Sequence, residues 1–159
     1  MKKNQSGSTL IELVLVMAIA SILFGFLTFN LISEQKTVTV DGISDALISD
    51  MSTQQNKAML GTGTTNGNSY GIYFQSDKYI LFTGTTYSST NSANFTVPLS
   101  SGYSISNITF PNNTIVFSAI TGEVNGFLNG HNTVKIQDLQ SFKTKTLTVN
   151  RYGVVTGEN

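Results

Sequence analysis

The chain has no cysteine and no tryptophan, one histidine, two prolines and few charges. Each shortage removes a class of explanation. Without cysteine there is no disulfide, no thiolate nucleophile and no Cys-ligated zinc, so the fold must be held by packing and strand pairing alone. The one histidine, His131 in the loop NGHN, shows no positioned partner that would make it a general base, and it reads as a surface loop residue. Both prolines fall at or after residue 98, so none interrupts a helix before that point. Charged residues are 11% of the chain, nine basic against nine acidic. With Ser, Thr, Asn and Gly crowded after residue 60, this describes a surface solvated by hydrogen bonds, which suits an exported or cell-surface protein better than a cytosolic enzyme.

Nothing in the chain assembles into an active site, and no cofactor or metal is implied. Asp41, Asp45 and Asp50 lie on a helical pattern as solvated charge, and the D-x-[DN]-x-[DN]-G spacing of a calcium loop is absent. Asn94-Phe-Thr96, Asn107-Ile-Thr109 and Asn112-Asn-Thr114 match the glycosylation sequon, a match that arises by chance in a chain so rich in Asn and Thr.

What the chain does have is a long apolar run. From Leu10 to Phe29 the only charge is Glu12, and the segment would span about 30 Å as a helix, the thickness of a bilayer's hydrocarbon core. A secretory signal peptide would use Lys2 and Lys3 as its basic region and Ala18-Ile19-Ala20 as its cleavage site, yet the apolar run continues well past Ala20. A plain transmembrane anchor explains the run but leaves Glu12 unexplained. A carboxylate in a spanning helix costs about 2.5 to 3.5 kcal/mol at mid-bilayer, less near the interface, and marks a functional position with a partner.

A third reading accounts for the carboxylate. The basic leader, Gly7, a short gap, Leu10-Ile11-Glu12-Leu13 and then an unbroken apolar helix resemble the type III signal of type IV prepilins and type II secretion pseudopilins. The resemblance implies cleavage by a prepilin peptidase after Gly7, with Ser8 as the new and N-methylated first residue, although the family usually has Phe there. It also implies that Glu12 is an assembly residue, paired in a filament with the terminal ammonium of a neighbouring subunit. Such a pair would mark register, because a buried charge left without its partner costs several kcal/mol.

After Phe29 the helix is expected to continue to about residue 60 in amphipathic form. Val40, Ile43, Leu47, Met51, Gln54 and Ala58 step by three or four. Gly61 and Gly63 should end it. Beyond residue 68 the pattern turns to strands. SYGIYFQ and KYILFTG flank Ser76-Asp77 as one hairpin, and YSISNITF and TIVFS flank Pro111-Asn112-Asn113 as a second. EVNGFL, TVKIQ, KTLTVN and GVVTG complete an antiparallel set, while Gly84 to Asn94 reads as a polar, solvated loop.

The order of these pieces is similar to that of H-type pseudopilins and FimT-like minor pilins. The expected fold is therefore α+β, a long N-terminal α-helix packed on a small antiparallel β-sheet domain, the pilin fold. The expected organisation is a leader at 1–7, a transmembrane or filament-core helix at 8–34 and a globular head at 35–159, itself an amphipathic helix half at 35–60 and a β domain at 69–159.

The resemblance implies a structural subunit of a type IV pilus or pseudopilus, not an enzyme. It would sit first in the cytoplasmic membrane with its head outside, then in an extracellular or periplasmic filament. Its partners would be other pilin subunits, the prepilin peptidase, the inner-membrane assembly platform and membrane lipids. The alternative is a DNA-binding minor pilin of an uptake system, contacting DNA through Lys135, Lys143, Lys145 and Arg151. Against it, cleavage leaves seven basic residues against nine acidic, and those lysines serve equally well as guards of an edge strand.

Overall fold

A stripe of apolar residues fixes how the second helix packs. The computed structural model describes residues 10–33, 39–61 and 68–158, except the side chains of 24–33 and 158, and it divides into two units, Met1–Thr37 and Val38–Asn159. The first contains helix α1 (Leu10–Ser33) and the second contains helix α2 (Val40–Met59). One continuous helix is therefore corrected at Thr39, whose backbone is extended. Its hydroxyl accepts from the Gly42 amide at 3.1 Å, which satisfies one of the donors that a helix start leaves open. Residues 34–38 lie outside the described residues.

In the second unit α2 buries Val40, Ile43, Ser44, Leu47, Met51, Gln54 and Ala58. It ends where Gly61 takes a positive φ, as the sequence predicts. The Ile120 amide donates to the Ala58 carbonyl at 2.9 Å, so a distant loop satisfies one of the helix's last acceptors.

Among the described residues eight strands form two four-stranded antiparallel sheets, which make up the small antiparallel β domain that the sequence predicts. The first runs β3 (Phe95–Pro98), β2 (Lys78–Thr83), β1 (Tyr70–Phe74), β5 (Thr114–Phe117), and the second β4 (Tyr103–Ser106), β6 (Thr133–Asp138), β7 (Thr144–Val149), β8 (Val155–Glu158). α2 packs on β1 and β5 of the first and on β6 and β7 of the second. Ile72, Phe74, Phe117, Val134, Ile136, Leu147 and Val149 are fully buried in that shared core. The architecture is α+β, consistent with the pilin fold.

The β1–β2 hairpin forms as expected. The second expected hairpin does not: β4 pairs with β6, and β5 pairs with β1. Residues 107–113 instead cross from one sheet to the other. Phe110 anchors the crossing against Phe74, centroids 5.8 Å apart, and the Thr109 amide donates to Thr133 O. Asn107, Asn112 and Asn113 take positive φ, the conformation asparagine tolerates best after glycine. EVNGFL is likewise no strand; Val124 makes only an isolated bridge to Phe117.

A polar contact also ties α2 to β2. The Tyr79 hydroxyl, on a buried ring, donates to Asp50 of α2 at 2.6 Å; burial first and the adjacent carboxylate second push its pKa well above the ordinary value. In the β6–β7 turn, Asp138 accepts from the Ser141 hydroxyl and from the amides of Gln140 and Ser141. These bonds, the hydroxyl's above all, hold its carboxyl below the usual range.

Candidate functional site

The run that singles out α1 in sequence also singles it out in structure. Every described side chain from Leu10 to Leu23 is exposed, with Leu10 at 81% and the large apolar residues all at half or more. No polar face divides them, so the helix is apolar around its circumference. Ser21 is no exception, because its hydroxyl donates to the Met17 carbonyl at 2.8 Å and is satisfied within the helix. The backbone helix of 24 residues is about 36 Å long. Among the described residues no helix is long and apolar enough to cross a membrane, the described side chains of α1 stopping at Leu23.

Glu12 sits in the first turn of α1. A carboxylate there faces the positive end of the helix dipole, a favourable placement in itself. Among the described residues it has no ion-pair partner. Gly7 and Ser8, the expected cleavage and methylation positions, lie outside the described residues.

The four basic residues near the C-terminus do not converge. Lys135 alternates with Val134 and Ile136, on the face of β6 turned from the core. Lys145 has the parity of Leu147 and Val149, and its ammonium pairs with Asp41 at the start of α2, 3.1 Å away. Arg151 pairs with Glu123 at 3.1 Å. Lys143 is exposed beside the Asp138 turn. His131 is exposed in its loop. The three aspartates of α2 also separate in role: Asp41 holds Lys145, Asp50 holds Tyr79, and Asp45 is exposed.

A further feature escapes sequence reasoning. Tyr87, inside the polar run 84–94, stacks on Tyr73 of β1 with centroids 4.2 Å apart and planes 9° from parallel. It also meets Phe82 edge-on at 5.6 Å. The loop is thus clamped onto the outer face of the first sheet, where Gly71 makes room: a Cβ there would lie 2.6 Å from the Phe82 ring. A cavity of about 220 Å³ opens beside the clamp, lined by Tyr73, Thr85, Thr86, Tyr87, Asn112 and Thr114. The only sequence signal for it was one aromatic residue in an otherwise polar, aperiodic run.

Comparison with family models places the prokaryotic N-terminal methylation motif on residues 2–28. Comparison with curated proteins and with solved structures finds no match. The matched segment covers the basic leader, Gly7, Ser8 and Glu12 and most of α1.

Proposed function

We propose, from the premise that residues 2–28 are the type IV prepilin signal and support a place in the type IV pilin and pseudopilin family, that this chain is a structural subunit of a type IV pilus or pseudopilus. Motifs of this kind mark structural proteins rather than enzymes, and they imply processing by a prepilin peptidase and assembly with other pilins.

The observation that carries the reading is the pairing of this signal with a helix that the chain leaves bare. Apolar side chains exposed on every side demand an apolar surrounding, and lipid before assembly or neighbouring α1 helices after it would supply one. In the first state α1 anchors the subunit in the cytoplasmic membrane through lipid contacts. In the second it packs in the filament core, handed over by the inner-membrane assembly platform. The head, from about residue 35, then lies outside.

Glu12 is the assembly residue in this mechanism. Cleavage after Gly7 creates an ammonium at Ser8, which N-methylation leaves charged. Drawn into a bundle of apolar helices, the carboxylate and a neighbour's ammonium each need the other, since either alone would be a desolvated charge. A subunit seated out of register would bury both unpaired.

The engagement of Lys145 by Asp41 and of Arg151 by Glu123 favours this reading over a DNA-binding minor pilin, for which those charges would have to serve phosphates instead.

Intact-mass spectrometry of the native membrane and sheared-filament fractions tests the proposal. A chain beginning at Ser8 is expected, with or without one methyl group. A chain beginning at Ser21, or an uncut chain in wild-type cells, would sink it. In the same fractions Glu12→Ala should be processed normally yet be missing from filaments.

A further inference from the structure

We propose that the cavity beside the Tyr73–Tyr87 clamp is a binding site for one unit of a neutral saccharide. Its lining carries the argument. All six side chains, two tyrosines, three threonines and one asparagine, bear a hydroxyl or a carboxamide, and none bears a charge. Its side chains offer no charge to pair with a phosphate, a carboxylate or an amine. What it can match is a ligand made of hydroxyl groups on a carbon ring, because each lining group both donates and accepts hydrogen bonds.

Those groups are available. Thr114 donates to the Pro111 carbonyl, while among the described residues Thr85, Thr86 and Asn112 give no side-chain hydrogen bond to the protein. All three are exposed. An occupant with hydroxyls would satisfy them, and an apolar one of the same size would leave them unmatched.

The two tyrosines that line the cavity add apolar ring carbons for the C–H groups of a pyranose. Both rings are fixed beforehand: they stack on each other, and Tyr87 also makes a T-shaped contact with Phe82. The two rings therefore lose little side-chain freedom on binding, which favours affinity in a small site. At about 220 Å³ the cavity is below the roughly 300 Å³ at which drug-sized pockets begin, so it suits a single ring with the rest of a glycan outside. Asn112, at φ 52°, sits in the three-residue turn Pro111–Asn113 that leads into β5. The site depends on neither processing nor assembly, and its failure would leave the proposed function untouched.

The test is saturation-transfer difference NMR on the full chain in a zwitterionic detergent without sugar headgroups. The probes are maltose, lactose, mannobiose and N,N′-diacetylchitobiose, with glucuronic acid and a proline-rich decapeptide as comparators. Transfer to the ring protons of at least one neutral disaccharide is expected. It should fall roughly tenfold or more in a Thr85→Ala, Thr86→Ala, Asn112→Gly variant whose thermal midpoint is unchanged. Glycine at 112 removes the carboxamide while keeping the positive φ. Should the triple variant lose its fold, Tyr87→Phe repeats the test with the ring stack intact and one hydroxyl gone. Absence of transfer to every neutral probe, transfer to the peptide or the acid alone, or undiminished transfer in the folded variants would overturn the site.

Discussion

α1 and α2 are helices of similar length that find their cover in opposite ways. α2 gathers Val40, Ile43, Leu47, Met51 and Ala58 on one stripe, and strands of its own unit close over it. α1 distributes Leu, Ile, Val and Met around its whole circumference, and its described side chains are exposed. Secondary structure alone does not distinguish the two. The angular spread of apolar residues does: a stripe is matched to a partner in the same chain, and a full circumference to surroundings supplied from outside it.

The sharpest way to break this contrast is to make one substitution in both helices of the full chain in detergent. Leu47→Ala, at a fully buried position, should lower the unfolding free energy of the head by about 2 to 5 kcal/mol in denaturant titration. Leu15→Ala, at 57% exposure, should change it by less than about 0.5 kcal/mol. Equal losses would mean that α1 also belongs to a core made by the chain.

Next in size is the alkaline behaviour of the bond between Tyr79 and Asp50, which ties α2 to β2. The phenol's pKa is raised on folding from its ordinary value of 10.0. The folded state therefore favours the protonated ring, and its contribution is fully present below pH 10 and lost as pH rises from there toward the raised value. Stability measured from pH 8 to 11 should begin to fall near pH 10, and Tyr79→Phe should remove that part of the slope. A slope unchanged in the variant would assign it to other groups.

Thr39→Ala tests the start of α2 and should cost about 1 kcal/mol by removing the hydroxyl that accepts from Gly42. The smallest effect belongs to Asp41→Ala. Asp41 is 77% exposed, so its pair with Lys145 is worth no more than about 1 kcal/mol, and high salt should shrink the difference.

The legibility of these features in sequence follows the range of the interaction behind them. The α2 stripe, its end at Gly61 and the β1–β2 hairpin are set by neighbours in the chain, and periodicity and turn residues reveal them. The β4 and β5 pairings are set by Phe110 meeting Phe74 and by Thr109 meeting Thr133, contacts between residues far apart. Turn chemistry at Pro111-Asn112-Asn113 is the same whether the chain folds back on its own strand or crosses to another sheet. β3 is too short and too exposed to show an alternating pattern, and it ends in Pro98, which only an edge strand accepts. Of the candidate sites, Glu12 is legible because one charge stands out in an apolar run. The Tyr87 cavity is not, because a polar loop folded over a sheet has the same composition as one that extends into solvent.

The evenness of α1 has a geometric consequence. A rod that is equally apolar on all sides has no preferred azimuth, so turning it about its own axis among similar rods changes little in contact energy. Over the described length the Ser21 hydroxyl is neutralised by the helix itself, and only the Glu12 carboxylate breaks the rotational symmetry. One side chain would then set two coordinates together, the axial position of the rod and the direction in which it faces.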